Sequence, residues 1–305
     1  MENIIDEFWF EPGPDEAADH AAATSFAAQL TQAQGLKTFP AVAQKILSVF
    51  SNDDFKVAEV SRVIEDDPAM AASVLRVANS AFFAPAKPIT EMNQAFMRIG
   101  VSHVKEIVCA VATMEMFSDT DGLGIRIRDH CAAVAGLAHF LGAQLCGRTP
   151  EGIFLAGLLH DVGKMMLIES HEIDYPPDSP MTWSPDLAHE YERQRLGYDH
   201  GILAGHIASS WHFGKNVSKM IAWHHQPKRA FVDDAFKIPV ALLRLADQID
   251  YLLSLSADDY IRDVKMLIRS EEAVVLGMNE TDLLADWQVL HEVRNNALSM
   301  FTVRH

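Results

Sequence analysis

Apolar residues recur along this chain at intervals of three and four, the spacing of one face of a helix, and no stretch alternates convincingly as a strand would. Val42, Ile46, Leu47, Val49 and Phe50 form one stripe, and Val57, Val60, Val63 and Ile64 form the next. Asp67-Pro68 reads as a helix start, because Asp can cap free amides and Pro suits the first turn. Met70, Val74, Leu75 and Val77 continue that helix, which should end near Asn79-Ser80. Pro85 and Pro88 mark a loop. Thr90 is the expected N-cap of a helix over 91–99, which stops at Gly100, a residue suited to a left-handed cap. Ser102 should open the next helix, running to about Phe117. After a turn-rich break at 119–124, a long helix is expected over about 127–146. Four prolines make 172–185 a loop. Further helices are expected around 187–196, from a cap at Asp199 through Trp211, over 217–225, and over 240–255, with two or three more to about Met300. At the other end, the alanine-rich stretch 15–34 should be helical. Residues 1–14, with Phe8, Trp9 and Phe10 between acids, should be an extended arm. The pattern is that of an all-α protein with no solenoid repeat.

The stretch from Gly152 to Lys164 departs from amphipathic spacing. From Ile153 to Leu159 there is no charged or polar side chain, so a helix there is apolar on every face and must be buried on all sides. It runs straight into His160-Asp161. Ionisable groups at the end of a buried helix need partners, because an unpaired buried charge is costly. A metal ion would satisfy both, and so would hydrogen bonds to neighbouring polar groups.

Composition narrows the function. The chain has 305 residues, 49% hydrophobic and 22% charged, as in an ordinary globular protein with one large or two ordinary domains. Its net charge of −17 disfavours unaided nucleic-acid binding, which needs a basic face. Cys109, Cys131 and Cys146 form no C-x-x-C pair and read as small buried hydrophobes in a reducing compartment. The N-terminus lacks the pattern of a signal peptide, and the weakly polar stretch 131–146 is short for a membrane span, so a cytoplasmic protein is expected.

Several strings then carry a resemblance. Asp66-Asp67-Pro68, the run Leu75-Arg76-Val77-Ala78-Asn79-Ser80-Ala81-Phe82-Phe83, Ile89-Thr90 through Gln94-Ala95-Phe96, and Arg98-Ile99-Gly100 occur in the order seen in the HDOD (HD-related output) domain. The resemblance extends from about Phe39 to about Leu253. It implies an all-helical bundle in which an N-terminal helical subdomain, 39–118, packs on an HD-like subdomain, 119–255. Flanking them are the arm and helix of 1–38 and the C-terminal helices of 256–305. It also implies a bacterial signalling module. Its expected partners are a regulatory protein, a cyclic di-GMP signalling protein or a nucleotide, and neither nucleic acid nor membrane.

Ten of the fourteen histidines lie between His130 and His225. Within the HD superfamily, the smallest metal site uses a His, a His-Asp pair and a distant Asp, which the resemblance maps onto His130, His160, Asp161 and Asp247. The extra histidines of two-metal sites map onto His200, His224 and His225. Imidazoles and carboxylates suit Fe, Mn, Zn or Ni, in one or two ions, better than Ca. Asp161 would bridge, and Lys164 would face a substrate phosphate; these two are the candidate catalytic residues. Each also has a plainer role. His224-His225 can satisfy carbonyls at a helix end, and His130 can be a core histidine bonded to Asp161. Asp247 can be the acceptor of that network, and Lys164 can be a surface lysine at a helix end. Gln226-Pro227-Lys228 follows His225 where HD-GYP phosphodiesterases carry Gly-Tyr-Pro, which argues against that mechanism. His139, His171, His189, His206 and His212 are expected at the surface or behind the ligands. The resemblance favours a regulatory module that acts by binding and retains an HD-type metal site. A metal-dependent phosphohydrolase or phosphodiesterase acting on a nucleotide is the alternative.

Overall fold

The computed structural model describes residues 39–50, 54–80, 82–83, 87–116, 122–226, 230–255, 264–278 and 287–301. The expected arm of 1–14 and helix of 15–34 lie outside them. The described residues form helices and no strand. In the first half these are α1 (Ala41–Phe50), α2 (Val57–Glu65), α3 (Pro68–Ala78), α4 (Met92–Ile99) and α5 (Val101–Met116). Next come α6 (Gly122–Cys146), α7 (Ile153–Leu159), α8 (Val162–Ser170), the single turn α9 (Pro180–Trp183) and α10 (Ala188–Leu196). The chain continues with α11 (His200–Ser210), α12 (Lys215–Trp223), α13 (Lys237–Ser254), α14 (Glu271–Val275) and α15 (Trp287–Phe301).

Local chemistry explains most of the boundaries. Asp67 caps α3, accepting from the amides of Ala69 and Met70 at 3.0 and 3.1 Å, with Pro68 in the first turn. At the far end of α3, Asn79 clamps the following loop. Its side chain donates to Leu75 O at 2.8 Å and Ile89 O at 2.7 Å, and accepts from Ile89 N at 2.7 Å. Gly100, with φ of 85°, separates α4 from α5. Two expectations shift. The cap of α4 is Glu91 rather than Thr90, whose amide instead reaches the Gln94 side chain at 3.3 Å. The break at 119–124 closes earlier, because α6 already starts at Gly122 and buries Gly124; packing there overrides glycine's low helix propensity.

α6 is the axis of the second half. Its Cys131–Ala138 segment is fully buried and, Val134 and Leu137 apart, made of small residues, so α7, α13 and α15 can approach it closely. α7 is buried at all seven positions, as its uninterrupted apolar run requires. α11 and α12 pair against the other side of α7 and α8. The first half packs around α5, which reaches α7, and Phe39 joins the halves by edge contact with Phe213 and a tilted contact with Trp211, both at 5.1 Å. Cys109 and Cys131 are buried as expected, whereas Cys146, in the last turn of α6, is partly exposed. No helix among the described residues is long and apolar enough to cross a membrane.

Candidate metal centre

Two glycines set the positions around the His-Asp pair. At Gly157 an added Cβ would lie 2.5 Å from the Cα of Ala135, so the missing side chain lets α7 rest on α6. At Gly163 it would lie 2.2 Å from the carbonyl oxygen of His200, so α8 rests against the start of α11. The first approach brings His160 to His130; the second brings His200 to Asp161.

All seven residues expected as ligands meet in one buried cluster. His130 Nε2 lies 3.2 Å from His160 Nε2, 3.2 Å from Asp247 Oδ1 and 3.6 Å from Asp161 Oδ2. Asp161 sits at the middle. Its Oδ1 is 2.9 Å from His200 Nε2 and 3.6 Å from His160 Nε2, and its Oδ2 accepts from Lys164 Nζ at 2.8 Å. His225 Nε2 lies 2.9 Å from His200 Nε2. Three overlapping groups have ligand atoms close enough for one ion: His130-His160-Asp161, His160-His224-Asp247 and His200-His224-His225.

The outer nitrogens of four imidazoles are pinned. Nδ1 of His160 donates to Gly157 O at 2.8 Å and that of His224 to Ile221 O at 2.6 Å. Nδ1 of His130 faces Asp250 Oδ2, and that of His200 faces Glu192 Oε2, each at 2.7 Å. Each Nε2 is thereby turned inward, the arrangement in which metal-binding histidines are held. His224 Nε2 and His225 Nδ1 are buried and make no hydrogen bond. Inward lone pairs and orphaned acceptors call for positive charge at the centre, so the donor set fits a divalent transition metal.

The electrostatics agree. Burial lowers the affinity of His130 for a proton, but Asp247 and Asp250 outweigh it and hold its pKa at about 10. Burial opposes the charge of His200 too, yet Glu192 and Asp161 push it up to about 9 against Lys164. Negative potential is therefore in surplus at both ends of Asp161. Burial pushes His160, His224 and His225 down, so they are neutral and able to donate a lone pair at neutral pH. Burial would raise the Asp161 carboxyl, but Lys164, His160 and His200 hold it well below the usual range.

Lys164 is not the surface lysine of the plainer reading. It is buried in the first turn of α8, not the last, and its charge is matched by Asp161. The other plain roles coexist with the cluster: His224 does satisfy a carbonyl, and Asp247 does face His130. Of the layer behind the ligands, only His189 was among the residues expected at the surface or in that position. Glu192 accepts from Tyr175 OH at 2.7 Å and from both the amide and the ring of His200. Asp250 accepts from Arg294 Nε at 2.6 Å while holding His130. His189 stacks on His225 with ring centres 4.5 Å apart. Asp250 follows Asp247 by three residues on α13, so helical spacing could have revealed it; Glu192 lies in a polar helix and carries no such signal.

With this geometry in place, comparison with known proteins decides the family. A model of the HDOD domain matches residues 36–227. The chain belongs to the HDOD family. A provisionally assigned phosphohydrolase of Shewanella amazonensis has the same fold, with a TM-score of 0.67 and 24% identity over 90% of this chain and 98% of that one. An HDOD domain protein of unknown function from Geobacter sulfurreducens aligns with a TM-score of 0.67 at 19% identity, over 93% of this chain and 98% of its own. A provisionally assigned signal transduction protein of Marinobacter aquaeolei gives 0.63 at 20%, over 92% of this chain and 65% of that one. At these identities the likeness is one of fold. An uncharacterized protein of Treponema pallidum is 22% identical over 208 residues, which span 63% of this chain and 39% of that relative. The HDOD match stops at 227, so Asp247, Asp250 and Arg294 all lie beyond it.

Proposed function

We propose that this HDOD protein holds one or two divalent transition metals in the buried cluster and hydrolyses a phosphate ester there, as part of a regulatory role. The observation that supports this most is the set of inward-turned Nε2 atoms, each fixed by a carboxylate or carbonyl on the opposite ring nitrogen. His130, His160, Asp161 and Asp247 would hold one ion, and Asp161 with His200, His224 and His225 a second. A metal held there supplies Lewis-acid activation of water and neutralises charge gathering on a phosphoryl oxygen. The chain's own groups do the rest. Asp161 presents two oxygens to opposite ends of the cluster. Lys164 keeps its proton, because Asp161 and Glu192 outweigh its burial, and it offers a donor to an anion that reaches Asp161. Glu192 and Asp250 fix the orientation of His200 and His130.

A second reading rests on the same lysine. Lys164 Nζ already balances Asp161 at 2.8 Å, which suits a protein that works by binding a regulatory partner, a cyclic di-GMP signalling protein or a nucleotide, without turnover. A hydrolysis screen over nucleotides and simple phosphodiesters separates the two. Turnover that disappears in both His160→Ala and Asp161→Ala, with the fold retained by circular dichroism, supports the enzyme. Metal-loaded protein inert toward every ester supports the binding module.

A further inference from the structure

A cavity of about 470 Å³ lies where the first half of the chain meets the second. α1 and α5 wall it on one side, and the start of α7 and the start of α12 on the other. Its volume falls in the range of small-molecule sites, about 300–1,000 Å³, and such sites favour junctions of this kind. Phe50, Phe55, Leu155 and Phe213 supply its apolar surface. Phe50 and Phe55 meet edge to face with ring centres 5.5 Å apart. Phe213 is held by Phe39 and Trp211, at 5.1 and 5.8 Å. Each of these rings is braced by another ring, so the apolar wall is already in place before anything binds.

Beside that wall stand charges of both signs, Lys105 and Lys215 with Glu106 and Glu151. Glu106 Oε1 accepts from the Gly152 amide at 3.1 Å, a neutral donor. Burial pushes the Glu106 carboxyl up, His103 and that amide pull it back, and the charge of Glu151 pushes it further up. The two acids therefore repel each other at the edge of an apolar surface, where charges are screened less than in water. Neither forms an ion pair among the described residues, and neither does Lys105, the neighbour of Glu106 on α5. A cation placed at the acids would relieve their repulsion, and an anion would find a donor at Lys105. A ligand with one charge alone meets repulsion from the side chains of like sign, whereas one that carries both, next to an apolar body, is matched throughout.

We propose that this cavity binds a free α-amino acid with a large apolar side chain. The ammonium meets Glu106 and Glu151, the carboxylate meets Lys105, and the side chain lies on Phe50, Phe55, Leu155 and Phe213. The site is separate from the His-Asp cluster and uses none of its residues, so either assignment stands if the other falls.

The test is calorimetric titration of the full chain with phenylalanine, leucine, isoleucine and methionine, and with glutamine as the polar comparison. The acid and the amine that match the tightest ligand are titrated beside it; for phenylalanine these are phenylpropanoate, which lacks the ammonium, and phenethylamine, which lacks the carboxylate. At least one apolar amino acid should bind saturably and at least tenfold tighter than glutamine, and each matching analogue should bind at least tenfold more weakly than its parent. Lys105→Met, at a partly exposed position, and Glu106→Gln, which keeps an acceptor for the Gly152 amide, should each weaken binding at least threefold. No saturable binding of any of the four overturns the proposal. So does an analogue that binds as tightly as its parent, or unchanged affinity in both variants. The analogue comparison uses the wild-type chain, so it decides the matter even where a variant fails to fold.

Discussion

Gly163→Ala probes the packing that assembles the centre. The new methyl would sit 2.2 Å from the His200 carbonyl oxygen and 2.9 Å from its carbonyl carbon, where ordinary contact begins near 3.4 Å. Both neighbours are backbone, so no side chain can swing away, and α8 and α11 must part by about 1 Å. Overpacking of this kind costs about 1–3 kcal/mol. For a domain of 150–250 residues that lowers Tm by about 2–4 °C per kcal/mol, so a fall of about 2–12 °C is expected. The same displacement separates Asp161 from His200, now 2.9 Å apart. Metal retained after dialysis should therefore fall further than the modest loss of stability would suggest. Gly122→Ala is the control, because a Cβ there meets nothing within 4 Å. The assay is a thermal melt paired with metal quantification on wild type and both variants. A Gly163→Ala protein with wild-type Tm and full metal content would refute the argument.

Lys164→Met removes the buried cation facing Asp161, which should cost about 3–5 kcal/mol in chelator, because a buried carboxylate loses its partner; added divalent metal should restore most of it in denaturant unfolding, and no recovery would speak against a cation at Asp161. Asp250→Asn keeps an acceptor on His130 Nδ1 but loses the charge that Arg294 anchors, so metal affinity should drop about 10–100-fold in chelator competition; unchanged affinity would end the orienting role assigned to Asp250. Glu106 gives a pH signature elsewhere in the fold. Burial raises its carboxyl, only partly offset by His103 and by the Gly152 amide it accepts from at 3.1 Å. The folded state therefore binds that proton more tightly than the unfolded one, so the contribution is complete below the unfolded value of about 4.3 and is lost as pH rises through the higher folded value. Glu106→Gln should gain stability relative to wild type at pH 7 and show no gain at pH 4, measured as urea midpoints; an equal difference at both would contradict the assignment.

Much of the helix order was legible because caps and stripes are local. Asp67-Pro68, Asp199 and the apolar run 153–159 each state their structure within a few residues, and each was read as it stands. The starts of α4 and α6 were not, because tertiary packing moved them by a residue or more. The convergence of His130, His160, His200, His224, His225, Asp161 and Asp247 was legible only through family order, since nothing local links residues 117 positions apart. The outer layer, His189 apart, escaped for the opposite reason. Glu192 looks like any glutamate of a polar helix until α10 meets α11, and Arg294 like any surface arginine until α15 packs on α6. Lys164 was misjudged on its plainer side because a lysine near a helix end is usually solvated, whereas the glycine before it pulls this turn into the interior.

The central claim is that the inward-facing nitrogens and the Asp161 carboxylate hold a cation. Elemental analysis of the purified full-length chain, alongside Asp161→Ala, tests it directly. The account predicts one to two equivalents of Fe, Mn, Zn or Ni per chain and their loss in the variant. Wild-type protein that stays free of metal after incubation with each of these ions would contradict it.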